Sequence, residues 1–271
     1  DIAAARPQPI PFYGELGSVN PAFVTRSAAG ERDEEIIEGF VASVTGSAGQ
    51  LCTKPGVLLI PADSGLESLL AAARLPAPAP LLNSAIADGF RSSLQATASH
   101  GDVSVLAGSS VADGDPAPVL LKTTAAALRA DHENLISEMF GPAALVATYE
   151  DETELLAVAE VLDGQLTATV VGSEDDAIAR DLVPLLSTKA GRVLWNQWPT
   201  GVSVTWAQQH GGPYPATTSV GTTSVGTAAL ARFLRPVSYQ NVPDALLPAA
   251  LQDANPLGIP RRVDGVLTTT A

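Results

Sequence analysis

Apolar residues fall in short blocks along this chain, and the blocks alternate between two periods. In "ERDEEIIEGFVASVTGSAG", residues 31–49, Ile36, Ile37, Phe40, Val41 and Val44 recur on one face, which predicts a helix with an acidic first turn that loosens at Gly46 and stops by Gly49. Residues 64–74, 80–98, "DETELLAVAEVLDG" and "EDDAIARDLVPLLSTKA" follow the same period and predict further helices. Between them lie runs of strand length: "GVLLIP", "DVSVLAG", "PVLLKTT", "AALVATYED", "QLTATVVGS" and "GRVLWNQ". A further short strand is expected from Ile10 to Leu16, ending in a Gly turn at "GELG". Apolar strands alternating with helices argue for an α/β fold with a largely parallel, twisted sheet flanked by helices.

The pattern breaks after Trp198. "WPTGVSVTWAQQHGGPYPATTSVGTTSVG" is rich in Gly, Thr, Ser and Pro, and a loop this long inside a compact domain usually serves a site or an interface. "TAALARFLRPVSYQNVP" gives a short helix and an extended segment, and the tail to residue 271 has little periodicity.

Composition narrows the function. The chain has 271 residues, 46% hydrophobic and 16% charged, enough for a sizeable core. A net charge of −14 with no Lys/Arg cluster excludes a nucleic-acid partner. Mean hydropathy of +0.19 points to a further buried face, as in a homo-oligomer or beside a missing domain. The longest apolar run is of strand size, so no membrane span is expected. A single cysteine excludes an internal disulfide and suits a reducing cytoplasm. The N-terminal segment has no signal-peptide pattern and reads as if the chain begins in mid-protein.

That cysteine, Cys52, lies a few residues beyond a helix, in a turn flanked by Gly49 and Gly56. Such a turn lets the thiol project into a cleft and lets backbone N–H groups face an oxyanion. Lys54 offers a cation that favours thiolate if its side chain turns toward the sulfur. On these facts nucleophile and packed structural thiol both stand. Glu15, read as the end of a strand, adds a carboxylate able to act as general base on a water.

"GELGSVNP" followed by "GQLC" resembles the general-base and nucleophile motifs of the aldehyde dehydrogenase superfamily. "SEMFGPAALVATYED" is similar to its Glu-x-Phe-Gly-Pro segment, "GRVLWNQWPTG" to its Val-x-x-Asn strand end, and "HGGPYPATTSVG" lies where its Pro-Phe-Gly-Gly loop falls. The order of four motifs strengthens the resemblance. Ser18 in place of the usual second Gly, with the "HGGPYPATT" loop, resembles the subgroup acting on 2-oxoglutarate semialdehyde (2,5-dioxopentanoate) and fatty aldehydes, mostly with NADP.

The resemblance implies oxidation of an aldehyde to its acid through a thiohemiacetal and thioester on Cys52, with Glu15 activating the hydrolytic water. It implies NADP or NAD as cofactor, with Glu138 and Phe140 at the nicotinamide riboside. It also implies a catalytic half whose cofactor-binding half lies upstream: residues 1–20 as the last strand of the cofactor domain, 21–235 as catalytic domain, 236–271 as a C-terminal return for oligomerisation. No Gly-rich phosphate-binding turn follows a strand here.

His210, Gly211 and Trp198 are expected near the substrate entrance, from their place in or beside the irregular loop. His100 and His132 are expected at the surface, and Trp195, Trp198 and Trp206 in packing, with a tunnel wall as the alternative for Trp198 or Trp206. Two other readings stand beside the dehydrogenase: a cysteine hydrolase or acyltransferase, which needs His210 within reach of the Cys52 thiol, and a non-catalytic fragment or assembly module.

Overall fold

The computed structural model describes residues 1–109 and 115–268, so the last three residues of the 236–271 segment lie outside it. It divides into two compact units, residues 1–229 and 230–271.

The first unit is an α/β layer structure. Its strands are β1 (Ala22–Val24), β2 (Val57–Pro61), β3 (Ser104–Gly108), β4 (Val119–Thr124), β5 (Ala143–Tyr149), β6 (Gln165–Val171) and β7 (Ala190–Trp195). They form one sheet in the order β3-β4-β5-β2-β1-β6-β7, with β3 antiparallel to β4 and all other neighbours parallel. The helices are α1 (Arg26–Glu31), α2 (Asp33–Thr45), α3 (Leu66–Ala71), α4 (Ser84–Ala98), α5 (Ala125–Ala130), α6 (His132–Leu135), α7 (Thr153–Val161) and α8 (Ala177–Lys189).

Helices cover both faces of the sheet, which is why its central strands read as unbroken apolar runs. On one face Phe23, Leu59, Leu121, Leu145 and Val170 pack with residues of α4, α5, α7 and α8. On the other, Val24, Leu58, Ile60 and Val146 meet Ile36, Phe40 and Val44 of α2 and Leu66 and Leu70 of α3. Ile37 and Val41 are only half-buried at the flank of α2. Among the described residues no helix is long and apolar enough to cross a membrane.

Three local expectations differ. No strand forms over Ile10–Leu16; Glu15 makes only an isolated antiparallel bridge with Thr217. The sequence offers a reason: Pro11 removes an N–H donor inside the segment and Pro7 and Pro9 remove two just before it, and only its Gly14–Leu16 end pairs, with residues 216–218. Consequently Glu15 stands before β1, not at the end of a strand. Second, α5 and α6 occupy a stretch with no clear apolar period; Thr124 caps α5 by accepting the Ala127 N–H at 3.1 Å. Third, the tail holds an antiparallel hairpin, β8 (Arg261–Val263) and β9 (Val266–Thr268), closed by Asp264 and Gly265 with positive φ of 47° and 83°.

Candidate active site

The loop carrying Cys52 joins α2 to β2. Just before it, Ser47, Ala48 and Gly49 all take left-handed backbone, with φ of 52°, 53° and 69°. Such backbone costs non-glycine residues roughly 1–2 kcal/mol each, so surrounding contacts must hold it. At Gly49 those contacts are close: a Cβ there would lie 2.2 Å from the Gly141 carbonyl carbon. The cysteine loop therefore rests on "EMFGP", which brings Glu138 and Phe140 beside it.

A buried polar network fixes the loop from the other side. The Asn20 amide donates to the carbonyls of Cys52 (2.8 Å) and Lys54 (3.0 Å). Its oxygen accepts the Thr167 N–H at 3.2 Å. Gln165 Oε1 accepts the N–H groups of Val19 (2.8 Å) and Asn20 (3.0 Å). Ser18 lies 2.7 Å from Asn20 Oδ1, and its hydroxyl accepts the Leu166 N–H at 2.9 Å. Ser18 thus ties the Glu15 segment to β6 through a hydroxyl that glycine lacks.

Cys52 is exposed at the mouth of a cavity of about 240 Å³ lined by Glu15, Leu16, Gly17, Ser18, Cys52, Glu138, Phe140 and Leu166. A Cβ at Gly17 would come within 3.2 Å of the Glu138 carboxylate, so glycine keeps that space open. The cavity opens at the amino-terminal end of the parallel strands, since these residues precede β1, β2 and β5 or begin β6.

His210 completes the group. It is buried, with Nε2 3.5 Å from Cys52 Sγ and 3.3 Å from Glu15 Oε2. Its N–H donates to Thr223 Oγ1 at 2.8 Å, and its carbonyl accepts the Ser224 N–H at 2.9 Å. The same irregular loop holds Glu15, because Leu16 N–H donates to the Ala216 carbonyl and Thr218 N–H to that of Gly14. One loop therefore sets both partners of the thiol.

The electrostatics oppose the thiolate. Burial is the largest cause raising the Cys52 pKa above that of an ordinary thiol, and the Glu15 charge is next; the N–H groups of Cys52 and Thr53 pull it down, and Glu138 adds a smaller upward push. Burial also raises the Glu138 pKa, against Lys54 and the Ser18 N–H, which lower it.

Lys54 does not turn to the sulfur. It is buried, and its ammonium donates to the Ala143 carbonyl at 2.6 Å. Burial lowers its pKa from 10.5 to about 8, with Glu138 opposing. Between those values the unfolded chain holds a proton on Lys54 that the folded chain has released, so stability rises with pH across that window. The gap corresponds to roughly 3 kcal/mol withheld below pH 8. Lys54→Met is expected to be more stable than wild type at pH 7 in urea denaturation and to lose the gain between pH 8 and 10. Equal pH dependence in both proteins would refute this.

The structure brings Cys52, Glu15, Glu138, Phe140 and His210 together. Gly211 lies behind His210, against Gly191, where a Cβ would meet the Gly211 oxygen at 1.9 Å. Trp198 is not among the residues lining the Cys52 cavity; it packs on Phe40 of α2, ring centroids 5.6 Å apart, and over Gly39. His100 is partly buried, with Nε2 3.0 Å from Asp131. The roles of Ser18, Asn20 and Gln165 were not read from the sequence; the signal that could have found them is polar residues placed at strand starts, where they can form a buried network.

Comparison with known proteins fixes the family. The model of the aldehyde dehydrogenase family matches residues 2–236. The chain belongs to this family. It is 42% identical over 275 residues to alpha-ketoglutaric semialdehyde dehydrogenase of Acinetobacter baylyi, covering 99% of this chain and 52% of that protein. It is 44% identical over 271 residues to alpha-ketoglutaric semialdehyde dehydrogenase 2 of Azospirillum brasilense, covering 97% and 51%. The chain thus spans about half the length of these curated relatives. Among solved structures it resembles lactaldehyde dehydrogenase from Escherichia coli, at 18% identity and a TM-score of 0.66 over 82% of this chain and 46% of that one. It also resembles Delta-pyrroline-5-carboxylate dehydrogenase from Mycobacterium tuberculosis, solved with NAD, at 17% identity and a TM-score of 0.66 over 87% and 46%. The aldehyde dehydrogenase fold is shared with both.

Proposed function

We propose that this chain is the catalytic half of an NAD(P)-dependent aldehyde dehydrogenase acting on 2-oxoglutarate semialdehyde or a related aldehyde. The observation that carries this reading is the convergence of Cys52, His210 and Glu15 at a cavity that Glu138 and Phe140 also line.

His210 Nε2 accepts the thiol proton, which matters because Cys52 is not poised as thiolate. The sulfur then adds to the aldehyde carbon, and the Cys52 and Thr53 N–H groups face the growing negative charge. Glu15 later takes a proton from the water that cleaves the thioester. The cavity, floored by Gly17 and walled by Phe140, fits the nicotinamide riboside end of a dinucleotide, with Glu138 as its polar contact. Bound NAD(P)+ supplies the two-electron oxidising power that these side chains lack. The subgroup resemblance favours NADP.

The hydrolase reading gains one observation, the 3.5 Å contact between thiol and His210. In a Cys-His-acid triad, however, the acid holds the imidazole nitrogen opposite the nucleophile. Here Glu15 and Cys52 meet the same Nε2. That arrangement suits two groups acting at different steps.

The full-length enzyme is expected to form NADPH with 2-oxoglutarate semialdehyde, and the 271-residue chain alone is not. Robust NADPH formation by the chain alone would overturn the half-enzyme reading, and none by the full-length enzyme with any aldehyde would overturn the activity. Light scattering of the same preparations reads whether the exposed Val204 and Trp206 are covered by self-association or by the other half.

A further inference from the structure

A second cavity, of about 470 Å³, runs along the sheet-edge strand β7 and is lined by Arg192, Trp195, Gln197, Thr200, Ser203 and Gln208, among others. Arg192 is its only charged wall residue. The guanidinium donates to the carbonyls of Pro199 (2.8 Å) and Gly201 (3.1 Å). Its Nε is buried and has no partner. None of the ion pairs among the described residues includes it. Carbonyl oxygens orient a guanidinium but leave its charge uncancelled, and a half-buried cation without a counter-ion is costly. Arg192 is thus a half-buried cation in a cavity wall whose hydrogen-bond partners are carbonyls alone.

The cavity adjoins the reactive thiol. Gly191, next to Arg192, lies against the carbonyl of Gly211, the residue after His210, and Gln208 lies two residues before it. His210 in turn touches Cys52. Desolvation lowers the Arg192 pKa, and the Cys52 charge opposes that.

We infer that Arg192 receives the far carboxylate of the substrate, so that the enzyme selects aldehydes carrying a carboxylate a few carbons from the carbonyl. The Nη–H groups not given to Pro199 and Gly201 supply charge-assisted hydrogen bonds to a carboxylate. The carboxylate sits in the β7 cavity while the aldehyde carbon reaches Cys52. The aldehyde end rests on the dehydrogenase reading above; the anion site beside Cys52 does not.

The test has two arms. In the 271-residue chain, alkylation of Cys52 by iodoacetamide is followed by mass spectrometry with pentanoate or pentanamide present. These have the same length and differ in charge. Pentanoate is expected to slow alkylation severalfold at concentrations where pentanamide has no effect. Protection should vanish in Arg192→Gln and survive partly in Arg192→Lys. Equal protection by acid and amide in the wild type would overturn the proposal, and that comparison needs no variant to fold. In the full-length enzyme, Arg192→Gln is expected to raise KM for 2-oxoglutarate semialdehyde roughly ten- to a hundredfold, the loss expected of a charge-assisted hydrogen bond, while KM for pentanal stays unchanged. A parallel rise for both aldehydes would mean that Arg192 only braces the Pro199–Gly201 loop. If no aldehyde is turned over, the dehydrogenase reading fails, and the alkylation arm still decides the anion site.

Discussion

Replacing Cys52 by Ala is expected to abolish p-nitrophenyl acetate hydrolysis by the 271-residue chain and aldehyde oxidation by the full-length enzyme, a loss on the order of a thousandfold or more. Cys52 is the single thiol of the chain, so no second sulfur can substitute. The nearest hydroxyl in the cavity, Ser18, is committed to Asn20, Gln165 and Leu166 and is held there. The wild-type activity should also carry a signature of the site's charges. Because burial, Glu15 and Glu138 all raise the Cys52 pKa, alkylation should climb with pH and reach its midpoint above that of an ordinary thiol, about 8.5. A variant that keeps a burst of nitrophenol would move the nucleophile elsewhere and end the assignment. A wild-type midpoint well below 8 would mean that a cation outweighs burial and the two carboxylates at the sulfur.

The sheet was legible in the sequence because it is buried on both faces. In "GVLLIP", "AALVATYED" and "QLTATVVGS" no charged residue alternates with the apolar ones, and the structure makes them the interior strands β2, β5 and β6, buried along almost their whole length. Helix α2 was legible because Ile36, Phe40 and Val44 fall on one stripe and only that stripe is buried. The misplaced strand at Ile10–Leu16 came from weighing apolar residues over prolines; Phe12 is 67% exposed, and only the Gly14–Leu16 end of the segment pairs, with residues 216–218. Misplacing it also put the chemistry at the wrong end of the sheet. Carboxyl-terminal strand ends are the usual location in open α/β sheets, whereas Glu15, Cys52 and Glu138 gather at the amino-terminal ends of β1, β2 and β5. The apolar pattern itself carried no contacts across long stretches of chain. His210 stands 158 residues from Cys52, and only the folding of the Gly-rich loop back onto Gly191 and Gln165 brings them together. Lys54 lies two residues from Cys52 in sequence, yet its side chain runs into the core toward Ala143. Proximity in sequence fixes where a backbone is and leaves side-chain direction to packing.

Glu15→Gln is expected to move two rates in opposite directions. As general base for the hydrolytic water, Glu15 contributes on the order of a hundred- to ten-thousandfold to deacylation. Without it, p-nitrophenyl acetate should give a burst of nitrophenol followed by slow turnover, and intact mass should show Cys52 carrying an acetyl group. Cys52 itself should become more reactive. The Glu15 charge raises the thiol's pKa, so the neutral amide lowers it, the thiolate fraction at pH 7 to 8 increases, and iodoacetamide labels faster. The contact with His210 does not explain this pair of effects, because glutamine keeps an oxygen that can accept from Nε2 once that nitrogen carries the thiol proton. Local misfolding does not explain it either, since a disordered loop lowers both acylation and deacylation. Slower alkylation together with no trapped acyl group would instead make Glu15 a support for the His210 ring, and the water would then need another base. His210 is the one group in reach of the sulfur that can take that part. In that case release of the acetyl group from Cys52 should be lost in His210→Gln, whereas with Glu15 as the base it survives that substitution.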